Sequence, residues 1–195
     1  MVFDNSFFRI DPGAKPVKGR LMLSEPFMNE PYFGRSVVLL TQHSNDGSMG
    51  FVLNKPLDVY LHEVVDVSVD ENIRLFCGGP VGSKSLFYLH DIEDLPHSFA
   101  ITPHLFLGGD FDKLIENINL GLGIAGKVRF FLGYSGWESE QLVQEMKHQS
   151  WIAGPIADES ILLSENIENM WVQFMKGLGG KYRHWADFPQ NPNLN

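Results

Sequence analysis

The segment Val128–Leu142 reads VRFFLGYSGWESEQL and organises the rest of the chain around it. Its first five residues are almost all apolar, which is typical of a strand covered on both faces of a sheet. Gly133 and Gly136 predict a turn after that strand, and the polar residues from about Glu138 predict the start of a helix. Because a strand, a glycine turn and a helix N-terminus leave backbone N–H groups free, the segment predicts a place for an anion or an oxyanion.

Further strands are predicted by short apolar runs rich in leucine and valine. These runs are Arg20–Ser24, Ser36–Gln42, Gly50–Asn54, Ile73–Cys77, Leu86–His90, Phe99–Thr102 and His104–Leu107. Between the second and third runs, Asp46-Gly47 predicts a tight hairpin, since glycine supplies the positive φ that such a turn needs. Pro96 and Pro103 interrupt the last runs, which favours edge strands there.

Helices are predicted by apolar residues at three- and four-residue spacing. The predicted helices are Leu57–Val65, Gly109 to about Asn119, about Glu138 to Lys147, and Glu165–Lys176. Strands come first in hairpins and helices follow, so we expect a single α+β domain with a mixed sheet. Residues 1–18 lack any period and predict a flexible arm, residues 19–182 predict the domain, and residues 183–195 predict a polar C-terminal tail.

Composition and charge restrict the classes of partner. The chain has 195 residues, 44% of them hydrophobic, and a formal net charge of -9. Lysine and arginine form no run longer than a pair, so the electrostatic footprint of direct nucleic-acid binding is missing. The N-terminus has no basic region followed by an apolar one, and no segment approaches ~18 uninterrupted apolar residues. We therefore expect a cytoplasmic protein with no membrane partner.

Metal and cofactor chemistry find little support in the sequence. Cys77 is the only cysteine, which excludes an internal disulfide framework and every multi-cysteine zinc pattern. His90, His97 and His104 lie seven residues apart, but that spacing has no geometric meaning across prolines and short strands. The tight histidine pairs of zinc sites are missing. We therefore expect no metal and no cofactor.

A serine nucleophile is one hypothesis for the glycine turn. The residues Gly133–Trp137 approach the nucleophile-elbow pattern G-x-S-x-G around Ser135, but Trp137 replaces the last glycine. A triad would also need later partners, for which the candidates are His148, His184, Asp158 and Asp187. None of these has a distinctive context, so a structural turn is favoured.

A phosphate-binding loop is the second near match. Residues Gly78–Ser85 would fit G-x-x-x-x-G-K-[ST] if Ser83 were glycine. The segment that follows, LFYLH, predicts a strand where such a loop requires a helix. A glycine-rich turn between strands is therefore favoured.

Polar residues at the ends of the predicted hairpin are candidates for binding. Arg35 and Ser36 begin an apolar strand, where an arginine can hold either a carboxylate of the protein or the anion of a ligand. His43 and Asn54 lie near the two ends of the same hairpin and also suit turn-stabilising roles.

Taken together, the motifs resemble the bacterial YqgE/AlgH family from about residue 19 to 182. The matching segments are GRLMLSEPFMNEPYFGRSVVLL (Gly19–Leu40), GSMGFVLNKPL (Gly47–Leu57), GGPV (Gly78–Val81), LH (Leu89–His90), GGD (Gly108–Asp110) and FFLGYSGWESEQL. The resemblance implies an α+β domain with a large mixed sheet curved toward an open barrel and flanked by helices. Members are often labelled transcriptional regulators through a link to alginate control, yet the family has no recognised DNA-binding motif.

The chain departs from the family pattern after Trp137. Similar sequences usually have glycine and proline there, whereas this chain has Glu138-Ser139-Glu140. Two carboxylates at a helix start suit the helix dipole and disfavour an anionic ligand at that N-terminus. Ser135 is often alanine in similar sequences, which weakens the nucleophile hypothesis.

The leading hypothesis is a regulatory domain that binds a small ligand or a protein partner. The candidate binding residues are Arg35, Ser36, His43, Asn54, Gly78, Gly79, Tyr134 and Trp137, and the hypothesis requires them to converge in one pocket. The rival is an acyl or phosphoryl hydrolase that uses Ser36 or Ser135 as nucleophile and His43 or His90 as base. A third hypothesis, direct DNA contact, requires a basic patch that the charge balance does not supply.

Overall fold

Strand β9 (Val128–Glu138) crosses the middle of the sheet and pairs with three other strands. The computed structural model describes residues 9–10, 13–67, 73–122, 127–163 and 167–189. β9 runs antiparallel to β3 (Gly47–Val52) and β6 (Val81–His90) and parallel to β5 (Arg74–Cys77). The predicted central strand is confirmed. The predicted turn at Gly133 is wrong, because pairing with β3 carries the strand on to Glu138.

The remaining strands extend this sheet on both sides. They are β1 (Arg20–Ser24), β2 (Val37–Ser44), β4 (Pro56–Tyr60), β7 (Phe99–Thr102), β8 (Leu105–Leu107) and β10 (Trp151–Ile156). The order is β10-β1-β2-β3-β9-β6-β8-β7, with β5 beside β9 and β4 outside β5. Only the β5–β9 pairing among the described strands is parallel. The sheet stays open between β10 and β7, which confirms the predicted α+β class with a mixed, open sheet.

The hairpin between β2 and β3 forms where the sequence predicted it. Ser44 pairs with Gly47, so Asn45 and Asp46 form a two-residue loop. Gly47 has φ 140°, and a Cβ on it would lie 2.5 Å from the carbonyl oxygen of Trp137. Glycine is therefore required both by the backbone conformation and by the close approach of β9.

The helices pack on the faces of the sheet. They are α1 (Phe111–Asn119), α2 (Gln141–Lys147), α3 (Ser160–Leu163), α4 (Met170–Leu178) and α5 (Gly180–Trp185). The Asp110 side chain caps α1 by accepting from the Lys113 N–H at 3.0 Å. The helix predicted over Leu57–Val65 is wrong, since β4 pairs with β5 there and only a 3₁₀ turn, Leu61–Glu63, follows. β10 was not predicted.

Two apolar clusters on opposite faces of the sheet use neighbouring side chains of the same central strand. Phe131 joins the cluster under α4 and α5, which contains the fully buried Trp171 and Met175. Phe130 points the other way and packs with Leu114 of α1. Because successive side chains of a strand point to opposite faces, β9 supplies cores on both sides of the sheet.

Described residues near both ends of the chain make contacts with the domain. The Ile10 N–H donates to Oε1 of Gln149 at 3.2 Å. Trp185 of α5 is buried, so the packed fold continues beyond the predicted boundary at residue 182. Parts of the predicted arm (1–8 and 11–12), of the predicted last helix (165–166) and of the predicted tail (190–195) lie outside the described residues.

The passage from β5 to β6 runs against the backbone of β9. A Cβ on Gly78 would lie 2.2 Å from the Gly133 carbonyl oxygen, and one on Gly79 would lie 2.4 Å from the Tyr134 carbonyl carbon. Gly79 also has φ 148°, a value that other residues rarely adopt. Only glycine at both positions allows this backbone contact.

We expect Gly79→Ala to lower the free energy of unfolding by at least about 2 kcal/mol, from backbone strain and overpacking together. Gly177→Ala is the matched control, because Gly177 lies inside α4 with nothing within 4 Å of an added Cβ. That control should be neutral or stabilising by up to about 1 kcal/mol. Urea denaturation of both variants measures the difference, and equal effects would contradict the packing argument.

Candidate functional site

The candidate residues predicted from the sequence do not share one pocket. Arg35, Ser36 and Asn54 lie at the start of β2, whereas His43 lies near its end. From Ser36 to His43 the strand advances about 3.3 Å per residue, which separates the two positions by roughly 20 Å. The requirement that all candidates converge is therefore wrong, because two of its anchors occupy opposite ends of one extended strand.

The group at the start of β2 makes structural contacts. Asn54 accepts from the Val37 N–H and donates to the Arg35 carbonyl, both at 2.9 Å. The Arg35 guanidinium lies 5.0 Å from the Trp171 ring centroid and donates to the Phe188 carbonyl oxygen. Burial lowers the pKa of Arg35. These contacts fasten the C-terminal helices to the sheet.

The two serines predicted as nucleophiles are fully buried. The Ser135 hydroxyl donates to the Gly78 carbonyl at 3.0 Å, which stabilises the passage of Gly78 and Gly79 over β9. Ser36 is equally inaccessible beneath the start of β2. Neither side chain can reach a dissolved substrate without rearrangement, so the predicted roles of Ser36 and Ser135 as nucleophiles are not supported by their positions.

His90 is a buried structural histidine. Its Nδ1 accepts from the Ile92 N–H at 3.1 Å and its Nε2 lies 2.7 Å from the Gly108 carbonyl, an arrangement that assigns the proton to Nε2. His104 lies elsewhere, 2.9 Å from Glu93 on the exposed surface. Within the described part of the chain, no three histidine, cysteine or acidic side chains are grouped as metal ligands.

A large groove, which we call the hairpin groove, lies beside the C-terminal half of β9. Its volume is about 720 Å³. Residues of the β2–β3 hairpin, of β9, of the start of β6 and of α2 line it: Gln42, Ser44, Asp46, Gly47, Ser48, Met49, Val81, Tyr134, Gly136, Trp137, Glu138 and Gln141. Tyr134 is half-buried in it and packs edge-on against Phe87, with ring centroids 5.7 Å apart.

Trp137 lines the hairpin groove, but its indole belongs to the opposite face of the sheet. There its Nε1 donates to Oε2 of Glu145 at 3.0 Å, and Trp151 donates to the same oxygen at 2.7 Å. The two rings also meet edge-on, 5.8 Å apart. The indole N–H of Trp137 thus helps to hold α2 against the sheet, and the tryptophan is only 6% exposed.

A second cavity of about 190 Å³ lies between the hairpin and α2. In it, Nδ1 of His43 lies 2.7 Å from the Ser48 hydroxyl oxygen. His43 was among the residues predicted from the sequence, whereas Ser48 was not. The hairpin register was the available signal, because a two-residue loop at Asn45-Asp46 sets His43 directly opposite Ser48.

The near match to a phosphate loop is also settled by the strand order. β6 begins at Val81 and continues through Ser85, so a strand follows the glycines, as the sequence predicted. Lys84 lies on this exposed part of β6. As for membranes, no helix in the described ranges is both long enough and apolar enough to cross a bilayer.

The buried state of His90 predicts a pH effect on stability. Burial lowers the pKa of His90 below its ordinary value of 6.5, opposed by the hydrogen bond with Gly108 and by the charge of Asp91. As the pH drops below 6.5, the imidazole of His90 therefore takes up a proton more readily in the unfolded chain than in the native state. The free energy of unfolding consequently falls as the pH drops below that value.

We expect His90→Gln to remove this part of the slope, which is at most about 1.4 kcal/mol per pH unit. Urea denaturation between about pH 7.5 and 5.5 measures it. His62→Gln changes an exposed histidine and should leave the slope as it is in the original protein. An unchanged slope in His90→Gln would show that other groups cause the pH dependence.

Relatives match the chain over its whole length. The AlgH-like family profile matches residues 21–183. A UPF0301 protein of Bacteroides fragilis is 44% identical over 197 residues, with 100% of both chains covered. Another, from Bacteroides thetaiotaomicron, is 41% identical over 197 residues with the same coverage.

Solved structures share the fold. The solution structure of the AlgH protein from Pseudomonas aeruginosa gives a TM-score of 0.70 at 28% identity, covering 91% of this chain and 97% of that one. The crystal structure of a protein from Corynebacterium diphtheriae gives a TM-score of 0.72 at 22% identity, covering 96% of this chain and 100% of that one. At that identity the likeness shows the fold alone. The profile match and the Bacteroides relatives together establish that the chain belongs to the AlgH-like family.

Proposed function

We propose that the protein is a regulatory domain that binds a small ligand or a segment of a protein partner in the hairpin groove. The observation that carries the proposal is the groove itself, whose volume of about 720 Å³ lies in the range typical of ligand sites. Met49, Val81 and Tyr134 give it apolar surface, while side-chain amides and hydroxyls surround them. An apolar floor with a few polar groups is the common composition of binding sites.

The position of the floor residues on paired strands also supports binding. Met49 lies opposite Gly136 across the β3–β9 ladder, and Val81 lies opposite Tyr134 across the β6–β9 ladder. Because each of these backbones is hydrogen-bonded into the sheet, the floor is formed before any ligand arrives. A preformed site loses less entropy on binding than one built from loops.

The charge of the hairpin groove favours a neutral or cationic occupant. Asp46 and Glu138 line it, and none of its described lining residues is a lysine or an arginine. The whole chain carries a formal net charge of -9. The same acidity weighs against a nucleic-acid backbone as the occupant.

Thermal unfolding of the purified protein with a panel of metabolites, nucleotides and polyamines tests the proposal. A ligand that binds only the native state stabilises it by RT ln(1 + [L]/Kd), about 2.7 kcal/mol at one hundred times Kd. We expect Tyr134→Ala to abolish the shift by removing the floor. Tyr32→Ala is the matched control, since Tyr32 is a 40% exposed tyrosine outside the groove, and it should keep the shift. A shift that survives Tyr134→Ala would place the ligand elsewhere.

A second candidate function is ester hydrolysis at the His43–Ser48 pair. The 2.7 Å distance between His43 Nδ1 and the Ser48 hydroxyl is the specific observation in its favour, because a histidine at that distance can take the hydroxyl proton as the serine attacks. This pair replaces Ser36 and Ser135 as the place where a serine and a base meet.

Hydrolysis of p-nitrophenyl acetate tests this candidate. If the pair is catalytic, Ser48→Ala and His43→Ala should each lower the rate by at least about a hundredfold. Ser44→Ala serves as the control, because Ser44 lies in the same hairpin and accepts a hydrogen bond from the Asp46 N–H. Equal rates in Ser48→Ala and Ser44→Ala would eliminate the hydrolase.

A further inference from the structure

We infer that the occupant of the hairpin groove is an extended peptide bearing lysine or arginine, which adds as a strand to an open edge of β9. The inference rests on the proposed function and narrows it to one class of partner. Strand addition uses backbone hydrogen bonds for affinity and side-chain contacts for specificity. Three features support it: an unpaired edge of β9, the Tyr134 ring beside that edge, and the acidic side chains around it.

The edge arises because β9 has neighbours of different length on its two sides. On one side, β3 pairs with Ser135–Glu138 up to the end of the strand. On the other side, the ladder with β6 reaches its last pair at Tyr134 and Val81. Among the described strands, none pairs with Gly136 or Glu138 on that second side.

The hydrogen bond of Glu138 reveals which backbone groups face the open side. Its N–H donates to the side-chain oxygen of Gln141 at 2.9 Å rather than to a residue of β3. In an antiparallel ladder, alternate residues direct their N–H and C=O groups to the same side. Gly136, two residues earlier and exposed, therefore directs its N–H and C=O toward the open side and into the hairpin groove.

The edge stays open because β6 begins at Val81, opposite Tyr134. In the antiparallel ladder the residue opposite Gly136 would precede Val81, but the segment before Val81 crosses β9 from β5 instead. Between Val81 and Leu86 the ladder register shifts, because five steps along β6 match only two along β9. All residues of β6 from Val81 to Ser85 are exposed, and Gly82 adopts φ 60°. This end of β6 is attached to β9 only through the Val81–Tyr134 pair, so no residue of β6 reaches Gly136.

Tyr134 supplies a surface for the side chains of an added strand. A Cβ on Gly136 would lie 3.2 Å from Cε2 of Tyr134, and one on Gly82 would lie 3.6 Å from Cε1. The half-buried ring therefore lies between two residues without side chains. An aromatic face of this kind binds both aliphatic side chains and the cations of lysine and arginine.

Charge complementarity selects a basic peptide. Glu138 follows Gly136 on the same face of β9, and Asp46 lies at the adjacent hairpin tip. Side chains two residues apart lie on the same face of the added strand. An apolar side chain there would contact Tyr134, and a lysine two residues away would lie near these carboxylates. Exposed edges usually carry charges that repel other copies of the same chain, and this acidic edge repels a second copy while attracting a basic segment.

Fluorescence anisotropy with the full chain tests the inference. The probe is a fluorescein-labelled octapeptide with threonine at odd positions and valine and lysine alternating at even ones. A second peptide has glutamate in place of lysine, and a third is the lysine peptide with alternate backbone nitrogens methylated. We expect the glutamate and methylated peptides to bind at least about tenfold more weakly, because one loses the charge attraction and the other loses ladder hydrogen bonds.

A charge reversal in the protein completes the test. Glu138→Lys should weaken the lysine peptide and strengthen the glutamate peptide, each by several-fold. Glu30→Lys is the matched control, since Glu30 is exposed in the turn before β2, and it should leave the preference for lysine intact. Equal binding of the methylated and unmethylated peptides would refute strand addition, and an unchanged preference in Glu138→Lys would refute the charge argument.

The outcomes separate this inference from the proposed function. If no peptide binds while a compound from the panel gives a shift that depends on Tyr134, only the strand addition fails. If neither a peptide nor a compound depends on Tyr134, the hairpin groove is not a binding site and both proposals fail.

Discussion

The contact between the backbone of Gly78 and Gly79 and the backbone of β9 is the constraint on which the sheet depends. Added side chains would lie 2.2 Å and 2.4 Å from backbone atoms of Gly133 and Tyr134. Because glycine has no side chain, the backbone of Gly78 and Gly79 can cross β9 at close range. The chain therefore passes from β5 on one side of β9 to β6 on the other. β9 thereby gains a parallel and an antiparallel neighbour, its alternate side chains reach separate apolar clusters, and its far end extends beyond β6.

Local sequence patterns correctly predicted the elements that depend only on neighbouring residues, such as a strand buried on both faces or a tight turn. The apolar run at Val128–Leu132 is a strand covered on both faces, and the hairpin predicted at Asp46-Gly47 forms, with Asn45 and Asp46 as its loop. The apolar spacing of Leu57–Val65 fits a helix and a strand equally well, and the long-range pairing of β4 with β5 decides between them. β10 contains Gly154, which lowers strand propensity, yet an added Cβ there would lie 2.7 Å from Leu23 on β1. The same glycine that weakens the strand signal of β10 leaves room for the Leu23 side chain of its neighbour.

The candidate site divides along the same line. The predicted residues lie at strand ends and glycine turns, but local sequence patterns contain no information about which strand ends meet. The prediction included Tyr134 and His43 but not Met49, Val81 and Ser48, because a serine, a methionine and a valine carry no signature of function until the pairing of strands is known. Trp137 shows the opposite case. It was predicted to contact a ligand, but its indole N–H donates to the Glu145 carboxylate, which also accepts from Trp151.

The order of strands along the chain has a consequence for synthesis. β9 is made after β3, β5 and β6, so until residues 128–138 have left the ribosome these three strands have no common partner. β10, the outer neighbour of β1, arrives later still. Long-range pairings of this kind cost loop-closure entropy before they return any contact energy, and the growing chain therefore carries several uncovered strand edges at once. When β9 enters between β3 and β6, the nascent protein performs strand addition upon itself.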